Sequence, residues 1–387
     1  MSLRDRLWRG PADPAQIVPL QWLRGLAACA VVVEHLIERY ARRGILPLDT
    51  PDFAGRMGQT GVFAFFAISG FIMVHISLRS ESGGGWRAGV RFLRNRYLRV
   101  APLYYLTTLL MILFAGATRS LGTHGDYRAP GVRELILSFA FVPHRGTEGN
   151  LQPVYGLGWT LNYEMFFYLL FAGGLMLGAR RGAWAVLALL AVLIAMGVGW
   201  RAPVEAVGWP VLAYVYTRPV MLYFAIGILV ALLCDRLKVR TPAWPAWVMA
   251  LGAAVALAIA VVGPGGPGGS EMDRAQPATL AAITLGLMLC TIPTVRPGGA
   301  PWLERLSRAL GDSSYSIYLT HSFLLGALAA LSAPLIVKGG IVALVAMALL
   351  ASLICFVAGW LVWRLVERPI SDALRHRRLN PAEAVAP

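Results

Sequence analysis

The sequence predicts an all-α integral membrane protein of about ten transmembrane helices, with both termini in the cytoplasm. Three observations carry that prediction. Of 387 residues, 57% are hydrophobic and 14% charged, whereas an ordinary soluble domain carries about 25% charged residues. The mean hydropathy is +0.61, and apolar stretches long enough to cross a bilayer recur along the whole chain. Arginine and lysine fall on alternate connecting segments in a roughly two-to-one excess, the positive-inside pattern that fixes orientation. The formal net charge of +15 would by itself suit a nucleic-acid binder. Its placement makes it a topology signal instead, and no nucleic-acid partner is expected.

The expected spans lie at about 20–40, 58–78, 100–117, 159–177, 183–200, 216–233, 244–262, 277–293, 311–331 and 341–363. A cytoplasmic segment, 1–19, precedes a transmembrane domain of 20–370, and 371–387 forms a cytoplasmic tail. Arg4, Arg6 and Arg9 before the first span resemble the start of a signal peptide. The apolar run nevertheless passes into Glu38-Arg-Tyr-Ala-Arg-Arg43 without a small-residue cleavage site, so the span is read as retained. Between spans two and three, Arg87, Arg91, Arg94, Arg96 and Arg99 lead into the third span, with 87, 91 and 94 on one helical face and 96 and 99 on another. They read equally as lipid-headgroup contacts and as a phosphate grip.

The longest non-spanning stretch, roughly 118–158, lies on the outer side and is rich in Gly, Arg and His; loops of this length are often functional. Within it, Glu134–Val142 is apolar but too short to span and reads as re-entrant or interfacial. Val262–Ser270 is a Gly/Pro-rich turn between spans seven and eight. Cys29, Cys234, Cys290 and Cys355 have neither metal-ligand nor redox spacing and read as small core residues.

Ionisable groups inside spans mark a pathway or a site by default. Arg24 and His35 are eleven residues apart, about three helical turns, so they share a face and stand about 16 Å apart along the axis. A cation sits near the membrane entrance and a base lies deeper. Histidine, with an ordinary pKa near about 6.5, suits general-base work at neutral pH; the competing reading is a packing imidazole bonded to a backbone carbonyl. Glu34 and Glu38 flank His35. Glu38, at i+3, is the one placed to pair with it, although exposure to the outer aqueous side is the favoured reading.

Glu164, within span four, must be paired or neutral. Orienting His35, binding a hydroxyl and pairing with a buried arginine all stay open for it. His321 is about mid-span in the ninth segment, with Tyr318, Tyr315 and Ser314 near its face, and such groups serve as interhelical glue as well as sites. His75 reads as headgroup-facing, His124 and His144 as outer-loop residues with only a bare claim to acceptor recognition, and Ser69 as a small residue for close packing.

Six strings, in order, resemble landmarks of the membrane acyltransferase-3 family. They are Gln21-Trp-Leu-Arg24 with His35; Gly61-Val-Phe-Ala-Phe-Phe-Ala-Ile-Ser-Gly-Phe71; Arg96-Tyr-Leu-Arg99-Val-Ala-Pro102-Leu-Tyr104; Gly158-Trp-Thr-Leu-Asn-Tyr-Glu164-Met-Phe-Phe-Tyr168; Ser314-Tyr-Ser-Ile-Tyr-Leu-Thr-His321; and Glu367-Arg-Pro369. Together they cover about 20–370. The fourth and fifth are most similar to the branch that O-acetylates exopolysaccharides of the succinoglycan type. Phe63 and Met165 stand where the family often has acids, so no role of those acids is carried over and Glu164 is left as the acid of its motif.

The resemblance implies a multi-pass bacterial inner-membrane O-acyltransferase. It would move an acetyl (or succinyl) group from cytoplasmic acyl-CoA, acetyl-CoA foremost, to hydroxyls of an exopolysaccharide or other glycan, free or lipid-linked, within surrounding membrane lipids. It implies His35, Glu164 and His321 as the catalytic group, His35 acting as base or transient acyl carrier. Arg24, Arg96 and Arg99 would hold the coenzyme, Trp159, Tyr315 and Tyr318 would meet the acceptor, and no metal is implied. The chemistry agrees, since acyl transfer from a thioester to a hydroxyl needs a base, cations for the phosphates and donors for the oxyanion. A transporter or flippase of glycan intermediates is the rival class, although no paired broken helices show in the sequence. Acyl transfer to a small secondary metabolite would use the same chemistry.

Overall fold

The computed structural model describes residues 17–47, 50–80, 84–120, 129–146, 149–197, 208–237, 243–262, 277–291 and 301–376. Among them the secondary structure is helical and no strand occurs. Hydrocarbon dictates this: each backbone N–H and C=O must find its partner within the segment, and a helix supplies one for each.

In chain order the helices are α1 (Val18–Arg42), α2 (Thr50–Arg79), α3 (Trp86–Ser120), α4 (Val132–Phe139), α5 (Trp159–Leu175), α6 (Ala179–Gly197), α7 (Trp209–Tyr216), α8 (Leu222–Leu237), α9 (Ala243–Val262), α10 (Pro277–Thr291), α11 (Pro301–Val362) and α12 (Arg368–His376). Tight turns at Gly156–Gly158 and Pro219–Met221 lead into α5 and α8, and a π turn, Trp363–Glu367, joins α11 to α12. Each of the ten expected segments is helical over most of its described residues. Among the described residues, six helical runs are long and apolar enough to cross a membrane. Of the others, α5 has 17 residues and α10 has 15; α11, which belongs to the last of the six, carries the last two expected segments in one run. With eight residues, α4 is too short to span, in keeping with the reading of 134–142. The arginine-rich stretch 87–99 is the first half of α3, continuous with the third span.

The chain divides into two units. Unit one comprises 1–80, 226–269 and 275–360. Within it α1 and α2 run antiparallel, Gly61 meeting Ala27 and Gly58 meeting Glu34. A Cβ on Gly61 would lie 2.6 Å from the Ala27 carbonyl oxygen, so the helices touch through backbone. Lipid tails are as apolar as leucine, and small residues at the contact are what draw membrane helices together. The first limb of α11 runs parallel to α1, with Gln21 against Gly311, Gly25 against Leu310 and Arg43 against Gly326. Val32, Leu36 and Tyr40 of α1 share one apolar core with Ile317, Leu325, Ala329, Ala351 and Cys355 of α11. The Tyr40 hydroxyl closes it on Ser332 Oγ at 2.6 Å.

The long run of α11 reverses at Gly340, where φ is 55° and ψ −138°, a conformation open essentially to glycine alone. Beyond it the chain folds back until Gly359 packs on Ile317. The run is therefore two antiparallel limbs, matching the segments expected at 311–331 and 341–363.

Unit two comprises 81–225, 270–274 and 361–387. Here α3 and α5 are antiparallel, Gly89 lying against the Ala172 carbonyl and Gly158 against Tyr104. Gly174 and Gly182 bring α5 onto α6 across a turn at Gly178, φ 88°. Arg218 is buried: its Nε donates to the Tyr214 carbonyl and its Nη2 to that of Gly197, each at 2.9 Å, with the guanidinium 4.2 Å over the Tyr214 ring. It caps two helix ends.

The Gly340 reversal makes a stability prediction. Gly340→Val should lower stability by about 1–3 kcal/mol, since a branched side chain cannot adopt that backbone without strain. Thermal unfolding of the detergent-purified protein checks it, with Gly44→Val, at an exposed turn, as the milder comparison.

Candidate functional site

In unit one the site forms on the α1 face that carries Arg24 and His35. The His35 ring lies 5.1 Å from that of His321, centroid to centroid and tilted by 51°. His321 is fully buried, and its Nδ1 stands 3.2 Å from the Ile317 carbonyl oxygen. A carbonyl can only accept, so Nδ1 carries the proton and Nε2 is left with its lone pair. That nitrogen has no hydrogen-bond partner among the described residues. An acceptor thus stands buried beside the proposed base. Tyr318, a turn earlier on α11, places its ring 6.1 Å from His321 and meets Phe65 of α2 edge-on at 6.3 Å. Tyr315, a further turn back, is half-buried.

The acids beside His35 divide as follows. Glu34 Oε2 lies 3.4 Å from His35 Nδ1, both side chains largely covered. Glu38 instead accepts from Arg42 at 2.6 Å, so the exposed reading of Glu38 fits the structure. One residue beyond His321, the Ser322 carbonyl accepts from Arg39 Nη2 at 3.0 Å, pinning α11 to α1 just past the two rings. At the other end of the face, Arg24 Nη1 donates to Gln21 Oε1 at 3.1 Å, and Gln21 is itself buried against Gly311.

In unit two a second polar cluster gathers round Glu164. Tyr168, one turn on, donates its hydroxyl to the Glu164 carboxylate. Its ring meets Phe92 of α3 edge-on at 6.0 Å, and the Arg96 guanidinium lies 5.7 Å over Phe92. Arg96 and Arg99 both act electrostatically on Tyr168. Trp159 opens α5 and meets Tyr163 edge-on at 6.0 Å. The sequence-expected residues therefore fall into two groups, His35, His321 and Tyr318 in unit one and Glu164, Arg96 and Arg99 in unit two.

Of the remaining candidates, His75 stacks on Phe71 at 5.3 Å and its Nδ1 is 3.2 Å from Arg79 Nη1. His144 is buried, with Nδ1 2.9 Å from the Val142 carbonyl. Gly227 of α8 packs on the turn of α2 that holds Ser69, and His124 lies outside the described residues. Among the described residues, no three His, Cys, Asp or Glu side chains gather so as to hold a metal ion. Sequence reasoning missed Tyr168, although its i+4 spacing from Glu164 was visible. It also passed over Glu34 in favour of Glu38; the glycine that seats Glu34 is on another helix and gave no local signal.

Comparison with known proteins adds the family. Residues 18–363 match the acyltransferase domain family, Acyl_transf_3. The exopolysaccharide production protein ExoZ of Rhizobium meliloti is 32% identical over 329 residues, 84% of this chain and 93% of that protein. No solved structure matches.

Proposed function

The chain belongs to the acyltransferase-3 family, and from that premise we propose that it is the O-acetyltransferase of an exopolysaccharide, taking acetyl groups from cytoplasmic acetyl-CoA. The acceptor class is supported by the likeness to an exopolysaccharide production protein over most of both chains. The observation that carries the chemistry is the contact of His35 and His321 on the face that Arg24 shares.

The reaction balances on these groups. His35 takes the proton of the acceptor hydroxyl as its oxygen attacks the thioester carbonyl, then gives it to the departing coenzyme thiolate as the C–S bond breaks. His321 Nε2, its own Nδ1 proton held by the Ile317 carbonyl, accepts a hydrogen bond and so aligns hydroxyl or base. Arg24 near the start of α1, and Arg96 and Arg99 on α3, each offer a guanidinium fork of the kind that phosphates take up in bidentate fashion. Tyr168 donates to the Glu164 carboxylate and fixes its orientation, and a carboxylate so held is an acceptor suited to a sugar hydroxyl.

His35→Ala in correctly inserted protein should cut acetyl-CoA-dependent release of free coenzyme A by about 10²–10⁴-fold, the worth of a positioned general base. Turnover like wild type in that variant would sink the mechanism, and no release by wild type with a glycan acceptor would favour a transporter. The side of the donor is tested by cysteine labelling in a background lacking the four native cysteines. Ser80→Cys should react with an impermeant maleimide only after permeabilisation, and Asn150→Cys without it.

The arginines give a separate expectation. Arg24→Lys and Arg99→Lys should raise the KM for acetyl-CoA by about tenfold or more, the loss of a charge-assisted hydrogen bond, with kcat little changed. If lysine restores donor affinity fully at both positions, these arginines supply charge to the membrane surface and do not grip phosphate.

A further inference from the structure

Glu34 is a carboxylate on a spanning helix with 18% of its side chain exposed, and acids so placed are costly to keep. Two separate features seat it against His35. The first is the 3.4 Å approach of its Oε2 to His35 Nδ1, an electrostatic pair off the line of an aligned hydrogen bond. The second lies on α2. A Cβ built on Gly58 would overlap the Glu34 carboxylate and lie 2.7 Å from the Glu34 Cβ. Side chains at consecutive helix positions point about 100° apart, so Glu34 reaches its neighbour's ring by lying along the seam between α1 and α2. Glycine at 58 leaves that seam open.

The other polar groups around His35 are engaged elsewhere. On α1, Glu38 holds Arg42 and Arg39 donates to the Ser322 carbonyl. From α11 come His321, whose Nδ1 faces the Ile317 carbonyl, and Tyr318. From α2, Arg56 Nε donates to the Val261 carbonyl at 3.0 Å, and α10 contributes no charged side chain. Among the described residues, Glu34 is the anion beside the ring.

We infer that Glu34 is a positioning residue for His35, seated by the missing side chain of Gly58. Its charge beside Nδ1 keeps the ring proton on that nitrogen and turns Nε2 outward as the proton acceptor. When Nε2 takes the acceptor's proton, the resulting imidazolium is stabilised by the same carboxylate, which neither touches substrate nor itself takes up a proton. The inference rests on His35 being the base of the transfer proposed above. It adds that the base is prepared by an acid on its own helix and a glycine on the next.

The test reads His35 directly, without donor or acceptor. Full-length protein is treated with diethyl pyrocarbonate at about pH 8.5, where an ordinary imidazole is neutral, and carbethoxylation of the His35 peptide is followed by mass spectrometry. Glu34→Gln, which fits the same niche without the charge, should slow His35 labelling by about threefold or more, as loss of an outer partner lowers imidazole nucleophilicity. Glu38→Gln is the matched control and should label like wild type. Gly58→Ala should act in the same direction, and the double variant should be no slower than the slower single, because both changes remove one interaction. In turnover, Glu34→Gln should lower kcat by about tenfold or more with the KM for acetyl-CoA unchanged. His35 labelling at the wild-type rate in Glu34→Gln overturns the inference. Should Gly58→Ala fail to fold, Glu34→Gln alone decides. Should wild type release no coenzyme A, the proposed function falls while the labelling still decides the role of Glu34.

Discussion

Unit one depends on how closely α1 is approached by its two neighbours. Apolar attraction between helices is weak in a bilayer, so backbone contact through small residues does the holding. Gly61 lets α2 in and Gly25 and Gly311 let α11 in. Once the axes are that near, polar side chains at the seams have nowhere to go but toward one another. His35 meets His321, Glu34 fills the space at Gly58, and Gln21 lies against Gly311. The meeting of these groups thus follows from glycine packing, and a bulkier residue at Gly58 or Gly311 would strike the polar side chains themselves.

The arginines do two kinds of work. Their uneven distribution carries the orientation expected from the sequence. Several also tie helices together by donating to backbone carbonyls: Arg39 to Ser322 within α11 and, near helix ends, Arg56 to Val261 and Arg218 to Gly197 and Tyr214. The last carbonyls of a helix lack partners within it, and in low dielectric a guanidinium with several donors satisfies them well. Arg96 lies over the Phe92 ring, and Arg24 donates to the Gln21 side chain.

Much of this was legible in the sequence because period and punctuation are local. The eleven-residue interval placed Arg24 and His35 on one face, and the break between the apolar runs expected at 311–331 and 341–363 falls at the reversal inside α11. Hydropathy located all ten segments, though it set the end of α5 a little too far out, and it left open that the arginine stretch before span three continues that helix. What stayed hidden was lateral. Arg39 and Ser322 are 283 residues apart, and no spacing rule relates them; His321 entered through family resemblance rather than geometry. Glu38 looked the better partner for His35 because it sits a turn away, whereas Glu34 is decided by a glycine on another helix. The Tyr168–Glu164 pair was the exception, since its i+4 spacing could have been read.

The parallel pairing of α1 with α11 also sets an order of events during synthesis. Helix α1 leaves the ribosome first and α11 near the end, so His35 enters the bilayer long before His321 exists. Domains and segments fold from the N-terminus as they emerge, and the α1–α2 hairpin is complete early. Gly58 is already present in that hairpin, giving the Glu34 carboxylate a sheltered position beside His35 while most of the chain is still unmade. The nascent protein therefore carries an anion and an imidazole through the membrane as a matched pair, without the buried acceptor that completes the site. The contact of the two imidazole rings comes last, when the membrane domain is nearly whole.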